Sequence, residues 1–205
     1  MKTENVVLMK MARESLRDKW GLAIGTCVLY FIIIGAFQVP MNMESNPFLR
    51  ISVFPLVLII GGPFALGISI FSLAISRGED ARIEQLFKGF NNFGTSLGAY
   101  LLMMLFVLLW TLLLIIPGII AGLSYSMTFF IIADDNTIGS MEAIDKSKNM
   151  MMGYKWKLFR LYLRFFGWGL LCILTLGIGF LWLMPYMQVT MAKFYEDVKE
   201  TSVLA

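Results

Sequence analysis

A chain of 205 residues that is 58% hydrophobic and 15% charged lies outside the range of soluble domains, which run at about 45–50% apolar and about 25% charged. With 14% aromatic residues, 15 Met and a net charge of only +3, it is excluded as a water-soluble globule, a secreted disulfide scaffold or a nucleic-acid-binding domain. No charge falls in 20–43, 51–76, 89–133 or 165–192, and a membrane-spanning helix needs only ~20 apolar residues. The chain reads as a single integral-membrane domain over 1–205.

The first element is a weak amphipathic helix at 5–19, with Met9, Ala12 and Leu16 opposite Lys10, Arg13, Glu14 and Arg17. The first apolar run begins at Leu22 behind this charged segment, so no cleavable signal peptide is expected. Spans follow at 22–39 and 51–75, joined by a turn-rich loop between Pro40 and Pro47. Gly61-Gly62-Pro63 sits in the middle of the second span as an expected helix interruption. At 82–93, Ile83, Leu86, Phe87, Phe90 and Phe93 form the stripe of a second amphipathic helix.

The 89–133 window is too long for one span, since at 1.5 Å per residue it would reach roughly 67 Å. Pro117-Gly118 supplies the expected break, giving spans at 98–116 and 119–133. A third amphipathic helix follows at 141–152, with Ser140 as its expected N-cap. Residues 165–192 fit one tilted helix, or two if the first reaches back to Leu158. The preferred reading is two, at 158–174 and 180–194, broken at Gly177 and Gly179, with Pro185 interrupting the sixth.

Six helices place every Lys and Arg except Arg50 on one face, which the positive-inside rule makes cytoplasmic, together with both termini. A five-helix reading moves only Lys193 and Lys199. The expected fold is therefore an all-α membrane protein of six transmembrane helices and three cytoplasmic-side amphipathic interfacial helices. The order suggests a threefold repeat of interfacial helix plus hairpin, with units 1–78, 79–133 and 134–197 and a short tail, 198–205. The even-numbered helices end alike, in Glu79-Asp80, Asp134-Asp135 and Glu196-Asp197. Two spans per unit preserve orientation, so such a repeat is parallel, about an axis along the membrane normal.

The second half of the chain carries an ordered set of motifs. They are Glu142-Ala143-Ile144, Ser147, Met150-Met151 and Gly153, then Leu158-Phe159, Phe166-Gly167-Trp168, Leu174-Thr175-Leu176-Gly177-Ile178-Gly179 and Pro185-Tyr186, closing on Phe194-Tyr195-Glu196. With Ala12-Arg13-Glu14, Leu16, Trp20-Gly21 and Ile116-Pro117-Gly118-Ile119 upstream, the chain resembles the bacterial integral-membrane family catalogued as domain of unknown function 975. Arg164 departs from the pattern, which has a small polar residue before the Phe-Phe-Gly-Trp run. The resemblance implies a bacterial multi-span protein of the inner (cytoplasmic) membrane and no particular activity or substrate.

Among candidate sites, Lys157, Arg160 and Arg164 share one face of the fifth helix at i, i+3 and i+7. If hydrocarbon begins near Leu158, Arg164 lies roughly 9 Å inside it, where a basic side chain costs on the order of 2.5–3.5 kcal/mol. Three arrangements relieve that cost: snorkelling to the interface, pairing with Asp134 or Asp135, or binding an anionic lipid headgroup or ligand phosphate. The helix breaks at Gly61, Gly62, Pro63, Pro117, Gly118, Gly177, Gly179 and Pro185 either kink packed helices or expose carbonyls to cargo. Ser124, Ser126 and Thr128 are expected to hydrogen-bond within the bundle, and Trp168, Trp182, Tyr186 and Tyr195 to pack and anchor at the interface.

Histidine is absent, and the chain has no Walker loop, GxSxG or zinc motif. Cys27 and Cys172 lie inside apolar windows as small buried or lipid-facing side chains. No catalytic residue, metal or cofactor is expected, and no enzyme. The expected function is a binding or transport-related module for amphipathic cargo, a lipid or hydrophobic peptide; the alternative is a non-transporting scaffold or accessory subunit. Expected partners are membrane lipids, with a second copy or another membrane protein as further candidates, and no nucleic acid.

Overall fold

The structure, a computed structural model, describes the backbone at 3–43 and 47–203 and side chains at 3–35 and 56–201. The described residues are helical, without strands: α1 (Asn5–Ser15), α2 (Trp20–Met43), α3 (Pro47–Arg77), a 3-10 segment (Ile83–Asn92), α4 (Phe93–Leu113), α5 (Ile115–Tyr125), α6 (Thr128–Asp134), α7 (Ser140–Met150), α8 (Lys155–Leu174) and α9 (Phe180–Val203). The loop expected at 40–47 is shorter, since 40–43 continue α2 and Pro47 opens α3. Residues 44–46, Lys2 and the side chain of Arg50, the one basic group expected on the outer face, lie outside the described residues.

Three stretches are long and apolar enough to cross a membrane: Leu56–Arg77, Ile83–Leu113 and Ile115–Asp134. Asn5–Ser15 and Trp20–Gly35, bent by 98° at their junction, make a fourth if they form one span. In α8 and α9, Lys155, Lys157, Arg160 and Arg164, and Lys193, Glu196 and Asp197, leave shorter uncharged runs.

The chain is organised around α3. It packs against α2, α4, α6, α9 and the 3-10 segment. The amphipathic segments lie across the helices: α1 against α9, the 3-10 segment against α3, and α7 against α4 and α6. Of the two main cores, one centres on Phe71, Ile75, Leu16 and Leu86, and the other on Met127, Ile131, Leu161 and Phe194.

Several expected breaks are not breaks, because the glycines serve packing. Gly61-Gly62-Pro63 lies within uninterrupted α3; a Cβ on Gly62 would stand 2.6 Å from the Ser96 carbonyl oxygen of α4. The 82–93 segment is a 3-10 helix rather than an α-helix. Leu86 and Gly89 are buried three residues apart, and Phe87 and Phe90 stand edge-to-face on Phe64, a spacing that suits three residues per turn. Here the backbones nearly touch: a Cβ on Gly67 would lie 1.9 Å from the Leu86 oxygen, and one on Gly89 at 1.9 Å from the Pro63 oxygen.

The α4–α5 break falls at Leu114 (φ −161°, ψ 143°), three residues before Pro117. Pro117 is the third residue of α5, where proline still displaces no intrahelical bond. Gly118 lets the hairpin close, since a Cβ there would meet the Thr111 hydroxyl at 2.1 Å. The apolar stretch Ile115–Asp134 is divided into α5 and α6. The Ser147 hydroxyl inserts at the division, donating to the Ser124 carbonyl (2.8 Å) and accepting from the Met127 N–H (3.2 Å). Ser124, Ser126 and Thr128 donate instead to the turn just behind them.

Gly139, not Ser140, caps α7; Ser140 reaches across to the Thr95 carbonyl at 3.0 Å. The break between α8 and α9 lies where it was expected. Leu176 (φ 53°) and Gly177 (φ 87°) turn left-handed, and Thr175 Oγ1 accepts from the Gly179 N–H. Pro185, by contrast, sits inside continuous α9, denying the Leu181 carbonyl its helical donor.

The Gly67–Leu86 approach makes a direct prediction. Gly67→Ala lowers thermal stability in detergent by about 1–3 kcal/mol, the cost of overpacking a close contact, whereas Gly94→Ala, which meets nothing within 4 Å, costs nothing. Equal melting temperatures for the two variants would refute this account.

Candidate functional site

The charged residues collect at the end of the bundle where α3, α6 and α9 finish. Arg77, closing α3, donates to Asp134, closing α6, and to Glu196 of α9 at 2.6 and 2.9 Å. Lys199 also reaches Asp134, whose other partner is the Tyr195 hydroxyl at 2.8 Å. Lys19 donates to the Glu79 carbonyl and Lys193 to the Ser76 carbonyl at the same end. Asp134 is only 11% exposed, so its charge depends on these donors. Two neighbouring acids are engaged differently: Asp80 pairs with Arg82, and Asp135, next to Asp134, accepts from the Thr137 hydroxyl and N–H, which hold its pKa low.

Beside this clamp, α9 extends past its apolar stretch and ties down the start of the chain. Asp197 accepts from Lys157 of α8 at 2.6 Å and from the hydroxyl and N–H of Thr3. Burial opposes the charge on Asp197, but the bonds from Lys157 and Thr3 outweigh it and set its pKa below the ordinary carboxylate value. Asn5 Nδ2 donates to the Lys157 carbonyl at 2.9 Å. The beginning of α1 is thereby pinned alongside the beginning of α8.

Between them lies an open cavity of about 700 Å³ lined by Thr3, Glu4, Asn5, Trp156, Arg160 and Arg164, among others. Lys157, Arg160 and Arg164, the stripe read from the sequence, all border it. Their roles differ. Lys157 is committed to Asp197, while Arg160 and Arg164 are exposed and make no ion pair or hydrogen bond with the described residues. Asp134 and Asp135 are engaged elsewhere and pair with neither arginine.

Leu163 lines this cavity and also a second, nearly wholly apolar groove of about 540 Å³ between α8 and α9. Phe166, Leu170, Ile173, Phe180 and Met187 form much of that groove. The two spaces run in sequence along α8, polar first and apolar next. A third space of about 530 Å³ on the other side of α8 gathers Trp20, Trp168, Trp182 and Tyr186 around Arg13.

Glu4, Asn5 and Arg77 were not singled out in the sequence; Tyr195 was expected only to pack and anchor, and Lys199 entered only the orientation argument. Asn5 carried a signal, because it shares the buried face of α1 with Leu8 and Ala12. The partners of Asp134 carried none beyond their position at helix ends.

A family model described as "Protein of unknown function (DUF975)" matches residues 1–120 and 111–202 of the chain. No curated protein and no solved structure matches it.

Two predictions follow from the charged end. Asp134→Asn costs about 2 kcal/mol, as expected for charge-assisted bonds to a mostly buried carboxylate, while Lys199→Ala, on a side chain 41% exposed, costs under about 1 kcal/mol. Melting in detergent distinguishes the two. Because the Asp197 pKa is depressed, its stabilisation is whole above the unfolded value of about 3.9 and is lost as pH falls through the lower folded value. Hydrogen-exchange protection in α1, taken relative to the intrinsic rate at each pH, therefore falls below about pH 4, and Asp197→Asn removes that acid-dependent step.

Proposed function

Because the chain belongs to the DUF975 family, whose own function is unknown, we propose its role from the path along α8: it is a membrane module that binds, or helps to move, an amphipathic lipid. The observation that carries the proposal is that the polar cavity at Arg160 and Arg164 adjoins the apolar groove at Phe166, Leu170 and Ile173, with Leu163 lining both. A phosphate suits the unpaired guanidiniums, which bind it bidentately, and acyl chains suit the groove. Unpaired cations at the edge of an apolar surface are where the phosphates of lipid headgroups are drawn. A peptide cargo lacks this support.

In this proposal the chain crosses the cytoplasmic membrane six times with both termini inside. The six crossings are α2, α3, α4, α5–α6, α8 and the apolar part of α9. The amphipathic α1, 3-10 segment and α7 lie at the cytoplasmic interface. What supports three repeated units is the cyclic order of contacts. Each amphipathic segment lies on the second helix of the unit before it: the 3-10 segment on α3, α7 on α6, and α1 on α9. The first helix of each hairpin also meets the preceding unit, α4 on α3, α8 on α5 and α2 on α9. Buried Ala12, Gly89 and Ser147 keep the three crossings close.

The test is the lipid content of the purified chain. Arg160→Ala with Arg164→Ala lowers the phospholipid retained in native mass spectrometry several-fold while leaving the melting temperature within about 0.5 kcal/mol equivalent, as for exposed surface changes. Unchanged lipid content would overturn the proposal. Stable capture of another membrane protein without lipid flux in proteoliposomes would favour the scaffold reading instead.

A further inference from the structure

The cavity at the head of α8 has two walls of opposite character. Arg160 and Arg164 supply one; Glu4, at the start of α1, belongs to the other, together with Asn5. Opposite charges that share a small space ordinarily pair, and five ion pairs form among the described residues. Among the described residues, Glu4 pairs with neither arginine. The two walls are joined beside the cavity by Thr3 and Lys157 on Asp197 and by Asn5 on the Lys157 carbonyl. The wall that carries Glu4 also contains an acceptor without a donor, the buried Asn5 Oδ1.

A purely anionic headgroup fits this space poorly, since its charge would face the Glu4 carboxylate as well as the arginines. A zwitterion fits it better, with phosphate toward Arg160 and Arg164 and cation toward Glu4. The exposed Glu4 carboxylate favours a cation with N–H donors: a primary ammonium donates hydrogen bonds to it, and a quaternary one cannot. Trp156, stacked on Phe159 at the rim, is a single aromatic and not the cage that quaternary ammonium ligands use. The cavity, at about 700 Å³, is within the usual 300–1,000 Å³ of small-ligand sites, and the apolar groove that adjoins it at Leu163 assigns the headgroup to a lipid rather than to a free phosphate ester.

Resting on the lipid-binding role proposed above, we infer that this cavity selects a phospholipid whose phosphate carries a primary ammonium, the phosphatidylethanolamine class, over phosphatidylcholine and phosphatidylglycerol. Glu4 is the residue that sets the selectivity. Arg160 and Arg164 bind the phosphate common to all three.

The experiment uses the full chain, delipidated in detergent and offered equal amounts of the three lipids with identical acyl chains, with retained lipid read by native mass spectrometry. The unaltered chain retains phosphatidylethanolamine over phosphatidylcholine by roughly tenfold, about the worth of one charge-assisted hydrogen bond. Glu4→Gln brings that ratio close to one, and Arg160→Ala with Arg164→Ala reduces all three lipids together. Competition of glycerophosphoethanolamine against glycerophosphocholine reads the same selectivity without any substitution. If lipid is retained but the two zwitterionic classes bind alike, or if Glu4→Gln leaves the ratio unchanged, the headgroup inference fails while the lipid role stands. If no lipid is retained, or retention ignores the arginines, both fail.

Discussion

Asp134 is the residue on which the rest of the arrangement depends. Its carboxylate takes hydrogen bonds from α3 through Arg77 and from α9 through Tyr195 and Lys199, so one nearly buried charge joins the ends of three helices. Neutralising a carboxylate in such a place by several donors is what keeps it from being a liability. Tyr195 adds a stack on Phe130 of α6, which holds α9 in register with the helix it caps. From that register follows the position of Asp197, two residues further on, and through it the placement of Lys157 and the first turns of α8. The cavity bordered by Arg160 and Arg164 is thus a consequence of a contact several residues away.

Away from this charged end the forces are of another kind. The tip of the α4–α5 hairpin exposes Leu112 at 84% and Ile115 at 71%, and Leu176 in the α8–α9 turn stands 94% exposed. Where surfaces and cores are equally apolar, helices gain little from hiding one side chain behind another, and close backbone approach takes over. Gly62 against Ser96, Gly67 against Leu86 and Gly89 against Pro63 are such approaches, and Ser147 locks another by hydrogen bonds. α8 stands apart from this scheme. It makes few contacts with its neighbours and leaves Leu163, Phe166 and Leu170 more than half exposed, and that looseness opens the apolar groove beside α9.

The residues show why some features were legible in the chain and others were not. The turn at 175–179 could be read because Gly177 adopts a left-handed conformation that follows from local sterics. Glycine used for packing looks the same in sequence as glycine used for turning, so Gly61, Gly62 and Gly118 were read as breaks. Pro117 marked the right hairpin but the wrong residue, because proline is tolerated throughout the first turn of a helix as well as outside it. The 3-10 geometry of 83–92 was present in the three-residue spacing of Phe87, Phe90 and Phe93, and an α-helical period fits such a short stripe almost as well.

Composition and the spacing of charges alone determined that the chain is helical, that its apolar segments are long enough for a membrane, and that Lys157, Arg160 and Arg164 share one face of a helix. These depend on helix geometry and on the cost of charge in an apolar medium, both local properties. Only the tertiary structure decided which of those cations is already neutralised and which is free. Lys157 is claimed by Asp197, 40 residues away, while Asp134 is claimed by Arg77 and Lys199, 57 and 65 residues away. Pairing depends on which helix ends meet, and no period within a single helix encodes that.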